Sequence, residues 1–152
     1  MPDVHAFTIA VRWLHVASMA VALGGAGLLS TFAWGAEDGD RRRVLLTLAS
    51  RYEFLFWGAL GLLAMSGVGN IAAFGTGLPA PNSAWGAILT IKLGLVIAIA
   101  TLSVPRTLIV SLLSSSTSVT AERALAALRS SYMLTTIGLA IVLALAVWLA
   151  HL

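Results

Sequence analysis

Four apolar stretches take up most of this chain, each near the roughly 20 residues a helix needs to cross about 30 Å of hydrocarbon. Backbone polar groups inside a bilayer find no water, so each stretch must satisfy its own hydrogen bonds, as a helix does. The spans are expected at about 7–34, 52–74, 84–113 and 130–151. They predict an all-α integral membrane four-helix bundle, up-down-up-down, in a single transmembrane domain over residues 1–152. Hydrophobic residues make up 59% of the chain and charged residues 10%, with a mean hydropathy of +0.97. That balance excludes a soluble enzymatic domain.

The connections are short. Met1 to about Ala6 is expected as a polar lead containing Asp3 and His5. Glu37, Asp38, Gly39, Asp40 and Arg41-Arg42-Arg43 form a hydrophilic loop, and residues 42–50 read as a short surface helix entering the second span. Gly75 to Asn82 is a turn by its glycines and prolines. Pro105 is expected to kink the third helix or thin its hydrogen bonding. Ser114 to Thr120 is a connector, and residues 121–129 lead as an amphipathic helix into the fourth span. Ala33 to Ala36 faintly resembles a signal cleavage site. The first cation is only Arg12, however, so the first helix lacks a basic leader and is expected to stay as a span.

Cations are distributed asymmetrically. Arg41, Arg42, Arg43 and Arg51 lie between the first two spans, and Arg106, Arg123 and Arg129 between the last two. The Gly/Pro turn and the C-terminus carry none. The positive-inside rule then places both termini outside, in a multi-pass inner-membrane protein with both termini periplasmic. The net charge of +3 arises from these flanks, which points to lipid and not to nucleic acid as the partner. Absence of cysteine removes disulfides, thiolate metal sites and covalent haem attachment. No Ser/His/Asp set and no paired membrane carboxylates are present, so catalytic residues are not assigned.

Ionisable groups inside a span are costly, which makes them functional candidates. Arg12 and His15 lie one turn apart on one face of the first helix, with Met19 a further turn on. A neutral imidazole is a ligand for haem iron or copper, and a thioether suits Cu(I) or a second haem position. The bland alternatives are a hydrogen-bonded histidine and methionine core filler. Lys92 lies about 12 Å into the third helix at 1.5 Å per residue, a depth comparable to that of His15 and Met65. It is either a counter-charge for a haem propionate or other anion, or a snorkelling lysine. Bound copper would repel it, so Lys92 favours haem or an anionic ligand. His15 and Lys92 are expected in one cofactor-sized pocket, with Met65 converging on it. Glu53 and Arg106 lie near the ends of neighbouring helices and are expected to pair structurally. Trp13, Trp34, Trp85 and Trp148 suit an aromatic belt, with Trp57 least peripheral. Gly24, Gly25, Gly58, Gly61, Ala140 and Ala144 are expected to permit close helix approach.

Together these residues resemble the copper-resistance D (CopD) family of small four-helix membrane domains. The resemblance rests on Leu14-His15 with Gly24-Gly25, Arg51-Tyr52-Glu53-Phe54 with Ser66-Gly67-Val68, Trp85-Gly86 with Ile91-Lys92-Leu93-Gly94-Leu95-Val96, and Pro105-Arg106. It spans nearly the whole chain through short motifs. Where the family often has an acid near the start of the fourth helix, this chain has Ser130, Ser131 and Tyr132. A more distant resemblance is to HemJ-type protoporphyrinogen oxidases, which also pair a first-helix His with a third-helix Lys. The resemblance implies a bacterial inner-membrane protein binding b-type haem or copper, in copper handling or electron transfer. The expected metal ligands are His15 and Met19, and the cofactor contacts His15, Lys92, Arg12 and Met65. The alternative is a non-catalytic accessory subunit of a larger respiratory or photosynthetic complex, or a homo-oligomer.

Overall fold

The computed structural model describes residues 2–34, 39–72, 80, 82–115 and 121–151. Four helices account for almost all of them: α1 (Pro2–Ala33), α2 (Gly39–Ala72), α3 (Ala84–Ser115) and α4 (Ala121–Leu149). Each is long and apolar enough to cross a membrane. Each helix packs on its sequence neighbours, and α1 closes the ring against α4. Contact is most extensive between α1 and α2 and least between α2 and α3.

Side-chain bonds establish the antiparallel order. His15, early in α1, meets Ser66, late in α2. From Ile99 to Arg106 along α3, the residues met on α4 run back from Gly138 to Thr135. The expected up-down-up-down membrane bundle is therefore the fold. One end carries the arginine-rich connections and the other carries both termini.

Several boundaries differ from expectation. α1 begins at Pro2, so the expected polar lead is helical. Proline suits the first helical turn, where its missing N–H has no intrahelical partner and its φ is already helical. α2 runs unbroken from Gly39, so the surface helix and the second span are one element. α3 starts where Ser83 caps it: the Ser83 hydroxyl accepts from Gly86 N at 3.0 Å. The Gly/Pro turn from Gly75 to Pro79, Glu37 with Asp38, and the connector from Ser116 to Thr120 lie outside the described residues.

Burial follows one stripe per helix at three- and four-residue spacing. Met19, Ala22, Ala26 and Leu29 line α1; Leu45, Ala49, Tyr52, Phe56 and Ala59 line α2. Ile99, Ser103, Arg106 and Val110 line α3; Leu128, Tyr132, Leu139 and Val142 line α4. This core is concentrated toward the arginine-rich end. Close approach is real at Gly25, where an added Cβ would overlap the Tyr52 ring, and at Gly138, where it would press on Ile99. Gly24, Gly58 and Gly61 meet nothing within 4 Å, and Ala140 and Ala144 are exposed. Those five positions do not form the helix contacts expected of them, because α2 turns Tyr52, Phe56 and Ala59 inward and α4 turns Leu139 and Val142 inward.

Candidate functional site

Two polar centres interrupt the apolar interior. The first is a knot near the arginine-rich end. Arg106, 1% exposed, faces Glu53, 4% exposed. Its Nε donates to Glu53 Oε1 at 2.8 Å and its Nη2 to Oε2 at 3.3 Å, a bidentate pair. Nη1 donates to Thr135 Oγ1 at 2.7 Å. Tyr132 donates to Glu53 Oε1 at 2.8 Å, and Thr107 to Oε2. The guanidinium lies 4.5 Å from the Phe56 ring centroid and 4.8 Å from that of Tyr132, within cation–π range. Trp57 Nε1 donates to Thr107 Oγ1 at 3.0 Å, and Tyr52 reaches α1 by donating to the Ala22 carbonyl at 2.6 Å.

Every helix is thus tied to one knot. Each Glu53 oxygen receives two donors, and no buried side-chain N or O among the described residues lacks a partner. A carboxylate so occupied has no lone pair directed at a substrate. The knot is a structural lock, and the expected Glu53–Arg106 pair is its centre. Tyr132, Thr135 and Thr107 were not foreseen. The signal available was polar or aromatic side chains at stripe spacing within otherwise aliphatic helices.

The second centre surrounds His15, toward the end bearing the termini. His15 Nδ1 lies 2.8 Å from Ser66 Oγ. The Ser66 hydroxyl has one hydrogen, and it is directed at the Leu62 carbonyl one turn back. Ser66 therefore accepts, and Nδ1 carries the hydrogen. The lone pair of the neutral imidazole then sits on Nε2. The ring also lies against Gly67, where an added Cβ would be 3.7 Å from Cε1. Met19 follows one turn on and is buried in the core.

Lys92 is half-buried on α3. His15 and Lys92 each lie in the half of their helix nearer the end that carries the termini. Arg12 is exposed. Met65 is 75% exposed and turned outward, so its expected convergence on His15 does not occur. On α2, Ser66 holds the inward stripe, and the preceding residue points away. His5 and His151 are exposed. Among the described residues no group of three His, Cys, Asp or Glu could hold a metal. A recess lined by Thr31, Phe32, Asp40, Arg41 and Val44 lies at the opposite end from His15.

Comparison with family models, curated proteins and solved structures finds no match to this chain.

Proposed function

We propose that this is a CopD-like protein of a bacterial inner membrane, with both termini periplasmic, that holds b-type haem or copper at the His15 end of its bundle. One observation carries the reading: His15 Nδ1 lies 2.8 Å from Ser66 Oγ, whose own hydrogen is directed at the Leu62 carbonyl, an arrangement that would leave Nε2 as a positioned lone pair. Metal-bound histidines are oriented by that kind of outer hydrogen bond.

The donor set fits some groups and not others. One imidazole and one thioether do not make a tetrahedral zinc site or a hard-cation site. They do suffice for haem, which asks only axial ligands of the protein, or for low-coordinate Cu(I). His15 would be the ligand and Met19 a second soft donor. Lys92 would neutralise a carboxylate of the bound group, which favours haem over a bare cation. Arg12, exposed one turn nearer the terminus, could serve the same anion from the surface. When bound, the group would supply one-electron chemistry.

The test is a visible spectrum and elemental analysis of protein expressed with haem and copper available. A Soret band or stoichiometric copper, lost in a folded His15→Ala variant, is the expected result. Colourless, metal-free protein would overturn it. Stoichiometric co-purification with a larger complex would then favour the accessory-subunit reading.

A further inference from the structure

We propose that Lys92 is the oxyanion-binding group of a lateral opening between α2 and α3, and that it takes the phosphate of an anionic phospholipid whose tail lies in that opening. The ammonium serves one anion at a time, so the phosphate occupies Lys92 in protein that holds no haem carboxylate.

Lys92 is not on the bilayer face of α3. Counting back from Arg106 by threes and fours gives Ser103, Ile99, Val96 and then Lys92, which is the inward stripe. Its neighbours Ile91 and Leu93 are exposed instead. Lys92 has no hydrogen-bond or ion-pair partner among the described residues. The carboxylates whose side chains are described, Asp40 and Glu53, both lie toward the arginine-rich end. An ammonium at this depth without a counter-charge is costly, and an incoming anion removes that cost.

The seam beside it is the least packed of the four. Of the four neighbouring helix pairs, α2 and α3 touch least. Side-chain bonds from Glu53 to Arg106 and Thr107, and from Trp57 to Thr107, tie that seam at the knot. One turn beyond Trp57, Gly61 has nothing within 4 Å of where its Cβ would be. The seam is thus tied at the knot and leaves room for a side chain at Gly61, on the Lys92 side of it. Its walls are apolar and it faces hydrocarbon, so the matching ligand has an apolar body and an anionic head. An anionic phospholipid has both and surrounds the protein.

The experiment is native mass spectrometry of the full chain after equilibration with phosphatidylglycerol or phosphatidylcholine and extensive detergent washing. Wild type is expected to retain about one phosphatidylglycerol per chain. Lys92→Gln and Lys92→Met, both with wild-type helicity by circular dichroism, should retain at least tenfold less, and Lys92→Arg should retain it. Gly61→Leu, whose added Cβ has nothing within 4 Å, should also reduce retention by placing a side chain at the seam. His15→Ala should keep its lipid, so this proposal and the haem or copper reading fail separately. Equal retention by wild type and Lys92→Gln, equal retention of phosphatidylcholine, or displacement of the lipid by millimolar inorganic phosphate would each overturn the proposal. Undiminished retention by Gly61→Leu would overturn the lateral route.

Discussion

Arg106 and Glu53 are the residues on which the energetics of this bundle turn. A buried ion pair offsets the cost of desolvating both charges only when its remaining donors and lone pairs are also satisfied. Here Thr135, Tyr132 and Thr107 satisfy them. Removing one partner strands the other charge in an apolar interior. Glu53→Ala and Arg106→Ala are each expected to cost about 3–5 kcal/mol. The double variant Glu53→Leu/Arg106→Met should cost far less than the two single losses added. Reversible unfolding in detergent or bicelles, arranged as a double-mutant cycle, measures this. Additive losses would mean the charges do not act as a unit. At His15 the discriminating change is Ser66→Ala. If Ser66 orients a ligand, haem or copper affinity should fall about 10–100-fold while the helix content is unchanged. Unchanged affinity with a small loss of stability would reduce the contact to packing.

At the scale of the helices, depth was legible and azimuth was not. Hydropathy is a property of position along the chain, so the four spans follow from counting. Which side of a helix faces inward depends on amphipathicity, and helices apolar all round carry little of it. Met65 was therefore assigned to the His15 centre and stands outside it, while its neighbour Ser66 is the residue that His15 meets. Gly58 and Gly61 were misplaced for the same reason. Glu53 and Arg106 were legible because opposite charges in neighbouring helices leave few partners. Tyr132 and Thr135 were not, because their roles depend on which face α4 turns to α2 and α3. Gly25 allows a sharper test of the α1–α2 contact. A Cβ there collides with the Tyr52 ring, whose hydroxyl holds the Ala22 carbonyl. The ring is wedged by Phe56 and Tyr132, at centroid distances of 5.8 and 5.9 Å, and cannot simply move aside. Gly25→Ala should destabilise by about 1–3 kcal/mol, the usual cost of overpacking. Gly24→Ala, with open space around it, should be nearly silent in the same unfolding assay.

For the whole molecule, the fold changes how its charges count toward orientation. The chain has nine Lys and Arg. Arg106 falls out of the topological tally, because it is buried and neutralised by Glu53 and cannot act as a cytoplasmic flank. Arg41, Arg42, Arg43, Arg51, Arg123 and Arg129 remain at one end, and Arg129 is stacked over Trp34 at 3.9 Å from its ring centroid. That stack sets a cation on an interfacial indole, which suits a membrane boundary. Tyr132 follows Arg129 by three residues, so the knot lies about 4.5 Å further in at 1.5 Å per residue. Only Arg12 and Lys92 lie toward the other end, and Lys92 is within the bundle wall. The bias therefore survives the loss of Arg106 from the count. It predicts the arginine-rich end in the cytoplasm and both termini outside. An alkaline phosphatase fused after Leu152 should be active and a fluorescent protein at the same place dark. The same reporters inserted between Trp34 and Gly39 should give the opposite pattern. If the fusion after Leu152 is fluorescent and inactive, the orientation is reversed, and His15 and Lys92 would then open toward the cytoplasmic leaflet.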